Sequence, residues 1–250
     1  MNTTSTSHST AWQRIVAAAR ANIVPGLILQ AVALVIVVAY FRSATVHTAF
    51  DRVAALKQEV GMPFAMVSTA LCAGVFPLLL QGLQRQVPGQ VARRREGISA
   101  LPFYLVYWAI IGATVDALYL FLARLFGDNN LPLTVIKKVS FDEFLFTPIV
   151  LGFYVICCTW KDSGYSTTRA RQVLSDGKFV RRWWPMLIAA WIVWIPAVAM
   201  VYCLPQPLQL PVNNVIMCMW AMILLFLQAP TESAEPPVIE PLASLVEPAC

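Results

Sequence analysis

The sequence predicts an all-α membrane protein: a bundle of about six transmembrane helices with proline kinks and one or two interfacial helices. Two observations carry this. The 250 residues are 58% hydrophobic and 12% charged, with a mean hydropathy of +0.66, whereas a soluble domain is about 45–50% apolar and about 25% charged. The apolar residues also fall in long uncharged runs, and a spanning helix needs roughly 20 such residues. A β-barrel would need many short alternating segments instead.

The runs place the spans in order. Ala21–Phe41 and Val60–Gln84 carry no charge, and Gly97–Ala123 is interrupted by Asp116 alone. Phe144–Trp160 follows, and Trp183–Thr231 is uncharged throughout, divided by the proline-rich "LPQPLQLP" at 204–211. The expected spans are therefore 21–41, 62–83, 101–125, 143–160, 183–204 and 211–228. They form a single helical domain over 21–228, with a polar N-terminal tail at 1–20 and a flexible acidic tail at 229–250. That last segment holds four Glu, five Pro and no basic residue, a composition that resists packing. Pro77, Pro148 and Pro196 lie inside spans, where each removes a backbone donor and bends the helix.

Between the spans, "VHTAFDRVAALKQEV" (46–60) spaces Val46, Ala49, Phe50, Val53, Leu56 and Val60 along one helical face. It is expected to lie flat on the membrane with its charges turned away. "STTRARQVLSDGKFVRRWW" (166–184) opens on N-capping hydroxyls and is expected to stop near Ser175-Asp176-Gly177. Arg181 and Arg182, beside Trp183 and Trp184, and Arg93, Arg94 and Arg95 in the "ARRREG" loop are expected to meet lipid headgroups, anionic ones included.

Of the 18 Lys and Arg, two thirds fall on the N-terminal tail and on the loops after spans two and four. Both termini then lie on that basic side, the cytoplasmic side in a bacterium. The sequence pI near 9.0 thus reads as topology and lipid attraction, with no nucleic-acid partner. The Ser/Thr-rich N-terminus, without an acid before Asp51, faintly resembles a mitochondrial presequence, and a cytosolic tail explains it equally.

Chemistry is sparse. The two histidines, His8 and His47, lie outside the spans, and no HExxH, Walker or dinucleotide-binding pattern occurs. The six cysteines have no metal spacing. The chain is expected to be no enzyme and to hold no metal or cofactor. Asp116 is the one charge in the middle of a span, where a carboxylate is costly and faces a bundle interior or a water-filled cavity. Two readings stand there: a structural acid bonded to Tyr119, Tyr104 or Asn213, and a pore-lining or proton-linked acid.

"KKVSFDEFLFTP" (137–148) sets two lysines and two acids at the mouth of the fourth span. Asp142 and Glu143 suit a helix N-terminus, whose partial charge is positive. Lys137 and Lys138 are placed to pair with them or to reach headgroups. The segment resembles the signature of the peroxisomal 22-kilodalton membrane protein family, which includes the Mpv-seventeen and Sym-one proteins: Lys137, then Asp142-Glu143, then Pro148, with Glu143 replacing Gln. Gly112, Tyr119, Leu122 and Arg124 fall at the family's upstream spacing, with Ala113 and Leu118 in place of Pro and Trp. Trp194 and Pro196 are similar to its Trp-Pro, Leu204-Pro205 to its Val-Pro, and Trp220 to its closing Trp, while Gln209 replaces an Arg.

This likeness covers about 102–228. It implies a helical protein of a mitochondrial inner or peroxisomal membrane, or of a bacterial inner membrane if the source is prokaryotic. It also implies a link to membrane integrity and metabolite passage, and no catalytic residues. The expected function is a channel or permeability-modulating protein for small metabolites or ions; the alternative is a non-conducting structural or assembly protein. Membrane lipids are the expected partners, together with self-association into a homo-oligomer. The family-like positions are expected to serve packing, helix starts and kinks.

Overall fold

The computed structural model describes residues 11–77, 79, 99–175 and 177–227, with side chains described from Ile23 to Trp220 among these. The helices are α1 (Ala11–Arg42), α2 (Ala44–Val60), α3 (Met62–Thr69), α4 (Leu101–Phe126), α5 (Pro132–Phe141), α6 (Thr147–Asp162), α7 (Thr167–Leu174), α8 (Lys178–Val201) and α9 (Gln206–Leu227). Two π-helical turns extend them, Ala70–Val75 after α3 and Asp142–Phe146 between α5 and α6. No strand occurs among the described residues.

Four helical segments are long and apolar enough to cross a membrane: Ile23–Arg42, Leu101–Phe126, Pro132–Asp162 and Lys178–Val201, with the shorter apolar Met62–Val75 beside them. Their outer sides are unpartnered, as at Leu27, Val35, Val106, Ile110, Ile149 and Phe153. In water such surface would be hidden; facing lipid tails, it carries no such penalty. The inner side joins α1 (Leu29, Ala33, Val37, Tyr40) to α8 (Val193, Ala197, Val201) and α9 (Leu208, Val212, Ile216). Gln30 ties α1 to α8 by donating from Nε2 to the Val193 carbonyl at 3.0 Å.

Several boundaries move. Residues 11–20, expected as tail, are helical and lead into α1. The sixth expected span begins at Gln206 rather than 211, and Pro211 sits inside α9. Proline is tolerated in a first turn because the orphan N–H is absent anyway, and Pro207 takes that place. The larger shift is at 137–148. The helix there starts at Pro132, so Asp142 and Glu143 do not start it; they open a π turn within a continuous rod. The expected stop near 175–177 holds, and Ser166 caps α7 by accepting from the Arg169 N–H. The N-terminal ten residues, Arg93, Arg94, Arg95 and the acidic tail lie outside the described residues.

Proline explains both π turns. In the first, the Phe76 N–H reaches the Leu71 carbonyl; the next bond in that register would run from residue 77 to Cys72, and residue 77 is Pro. In the second, the Thr147 N–H reaches Asp142 O, and the next donor would be Pro148. A widened turn relieves the clash between each proline ring and the preceding carbonyl. It leaves one carbonyl orphaned in each case. Cys218 Sγ approaches Cys72 O at 3.8 Å, and Trp191 Nε1 donates to Glu143 O at 2.7 Å. Another helix supplies each missing donor.

Candidate functional site: a polar seam along α4

Gly112, Asp116 and Tyr119 follow one another at spacings of four and three on α4. They therefore share one face, and all three are buried. This face meets polar groups from several other elements. Those groups form a seam through an otherwise apolar bundle.

At its centre Asp116 Oδ1 lies 2.6 Å from Lys57 Nζ, and both side chains are about 5–6% exposed. The partner is thus Lys57, and not the Tyr119, Tyr104 or Asn213 expected from the sequence. Periodicity misled for α2 because it ranked residues by apolarity. The inward series is Val46, Phe50, Ala54 and Lys57, while Val53, Leu56 and Val60 face outward. Phe50 and Ala54 pack on the core, and the next inward position delivers an ammonium to the bundle's acid. The helical period was visible; the face that it buries was not. A charge pair held out of water pays a desolvation penalty that mutual attraction offsets only at close range.

One turn along, α4 touches α3. A Cβ on Gly112 would press on the Ala65 carbonyl and come within 2.7 Å of Thr69 Cβ and Oγ1, so glycine permits this approach. Thr69 Oγ1 donates to Asn214 Oδ1 at 3.2 Å, and Asn214 Nδ2 donates to Ser68 Oγ at 3.0 Å. These bonds link α3 to α9 beside the seam.

In the other direction, Tyr119 meets Tyr202 edge to face at 5.4 Å between ring centroids. Tyr202 donates its hydroxyl to Asp142 Oδ2 at 2.8 Å. Lys138 Nζ stands 5.7 Å from the Tyr202 ring centroid, within cation–π reach. Lys138 is fully buried and Glu143 nearly so. Neither Lys138 Nζ nor Glu143 Oε2 has a hydrogen-bond partner among the described residues. Nor is there a carboxylate within 4.0 Å of Lys138 among them. The expectation that Lys138 pairs with an acid or reaches a headgroup is therefore corrected. Its spacing of four from Asp142 puts it on the inward face, whereas Lys137 next to it is exposed.

The remaining family-like positions divide. Leu122 is fully buried, and Trp194 and Trp220 pack against the core. Arg124, Pro196 and Pro205 are exposed, and so is Arg181; Arg182 is half-buried at the start of α8. Gln209, where the resembled pattern has Arg, is fully buried and donates from Nε2 to the Leu204 carbonyl at 3.0 Å. Among the described residues no trio of His, Cys, Asp or Glu converges as metal ligands do.

The resemblance read from these motifs is borne out by a curated relative. The chain is 30% identical over 101 residues to Protein SYM1 of Gibberella zeae, a match covering 40% of this chain and 52% of the relative. The chain thus spans about half the length of the curated relative it matches. No family model matches the chain. No solved structure matches it.

Proposed function

We propose that the chain is a six-span integral membrane protein that passes small metabolites or ions. What supports this is the polar seam: Asp116, Lys57, Thr69, Asn214, Tyr119, Tyr202, Asp142 and Lys138 gather inside the bundle rather than at its rim. Buried polar groups within a membrane are costly, and they mark solute or ion pathways. The likeness to Protein SYM1 agrees with a mitochondrial inner or peroxisomal membrane, or a bacterial inner membrane for a prokaryotic source. On this reading the chain performs no catalysis. Arg181 and Arg182 meet anionic headgroups, and copies of the chain associate with one another.

The test is solute flux through purified protein in liposomes, comparing the parent with Asp116→Asn. Asp116→Asn leaves the buried Lys57 ammonium without its counter-ion and should melt lower; loss of cation-over-anion preference in the protein that stays folded supports the conduit. Equal selectivity in both proteins, with Asp116→Leu destabilised, discards it.

A non-conducting structural or assembly protein is the second reading. It is favoured by one observation: Lys57 cancels the Asp116 charge at 2.6 Å where α3 and α4 already touch at Gly112. Absence of flux in every variant selects this reading.

A further inference from the structure

The helix that supplies Lys57 has the features of a movable element. α2 is bounded by two single-residue breaks, extended Ser43 (φ −113°, ψ 114°) and Gly61 (φ +69°). A positive φ at Gly61 is open to glycine at little cost, and a Cβ added there would meet no side chain or backbone within 4 Å beyond its chain neighbours. Along α2 the only buried charge is Lys57; Asp51 is half exposed and pairs at 3.0 Å with His47, whose ring stacks on Tyr40 of α1. The same helix carries an outward apolar set, Val53, Leu56 and Val60, at 38%, 49% and 43% exposure.

This division of faces allows two arrangements of α2. Docked, it buries Phe50 and Ala54 and pairs Lys57 with Asp116. Released, it can keep Val53, Leu56 and Val60 in the lipid boundary while the lysine reaches the headgroups, as amphipathic helices do. Release would uncover Asp116 one turn from Gly112 and the Thr69–Asn214 pair. An uncompensated carboxylate there attracts cations and repels anions.

We propose that Lys57 is the tethered counter-ion that closes the polar seam at Asp116, and that withdrawal of α2 opens the seam to small cations. This rests on the conduit reading above and adds its gate and its selectivity determinant. The gate is electrostatic: docked α2 sets the Lys57 ammonium on Asp116 and cancels its charge.

Four forms of the full chain in liposomes test it: the parent, Lys57→Met, the neutral pair Lys57→Met/Asp116→Asn, and the exchanged pair Lys57→Asp/Asp116→Lys. Potassium and chloride flux are read beside hydrogen exchange of residues 44–60. The neutral pair strands no charge, and such replacements are tolerated in folded proteins, so it serves even where Lys57→Met folds poorly. Expected are faster exchange in α2 for Lys57→Met and for the neutral pair. Potassium flux should rise on the order of tenfold in Lys57→Met, within the usual range for coupled two-state elements. The neutral pair should conduct without cation preference, and the exchanged pair should return towards the parent. Unchanged exchange in α2, with a conducting parent, overturns the gate alone. Faster exchange without flux in any form overturns the conduit reading and the gate with it.

Discussion

The indole of Trp191 donates to the Glu143 carbonyl at 2.7 Å, the backbone group that Pro148 leaves without its partner in the π turn. A proline on one rod is thus answered by a tryptophan on another. Trp191→Phe keeps the ring and removes the donor, stranding a buried carbonyl at a cost of about 1–3 kcal/mol. Its melting temperature in detergent should fall. Pro148→Ala restores a backbone N–H, so the loss caused by Trp191→Phe should shrink in that background. Equal losses in both backgrounds would refute the link.

Gly112→Ala should be more damaging than its single methyl suggests. The added carbon meets the Ala65 carbonyl and Thr69, and backbone cannot step aside as a flexible side chain does. Overpacking of this kind costs about 1–3 kcal/mol. Lower folded yield and melting temperature are expected, and Gly112→Ala/Thr69→Ala should recover little, because the Ala65 carbonyl and the carbon at position 69 stay in place. A parent-like melting temperature for Gly112→Ala would refute the close approach.

The bond between Tyr202 and Asp142, 2.8 Å long, is expected to be structural. Asp142→Ala should cut folded yield, because the Tyr202 hydroxyl loses its acceptor. Asp142→Asn retains an acceptor oxygen and should be mild. Tyr202→Phe should cost about 1–3 kcal/mol. A stable Asp142→Ala protein with selectively altered flux would reverse this assignment.

Lys138 is fully buried with no acid within ion-pair distance among the described residues. An isolated buried ammonium is costly, while Met is similar in shape and apolar. Lys138→Met should therefore raise the melting temperature. The same change at exposed Lys137 should do almost nothing. A fall in melting temperature for Lys138→Met would mean that the ammonium is held by more than the Tyr202 ring.

On the proposed six-span topology, Cys250 and the 85–95 loop would lie on one side, with Lys137 across the membrane. In right-side-out bacterial vesicles, an impermeant maleimide should label Cys250 only after detergent is added. Labelling before lysis would refute the orientation or the even number of spans.

What the sequence determined by itself are the properties that add up locally. Uncharged length located the helices long enough to span, because hydropathy and helical rise accumulate residue by residue. Ser166 marked the cap of α7 for the same reason: a cap is satisfied within one turn. Asp116 could be placed in the interior, since a charge in mid-span has few other places to go. Pro148 was legible as a disturbance, yet read as part of a helix start. The mistake follows from treating Asp142 and Glu143 as terminal charges, when the rod had begun at Pro132.

The tertiary structure alone decided the partners. Lys57 and Asp116 stand on separate helices, and their meeting depends on how α2 is rotated about its own axis. That rotation was set by Phe50, Ala54 and the ion pair rather than by the most apolar stripe. Lys138 and Lys137 are adjacent in the chain, yet one is fully buried and the other exposed. About 100° of helix separates neighbouring residues, and only the packing of α8 and Tyr202 against α5 determines which of the two falls inside.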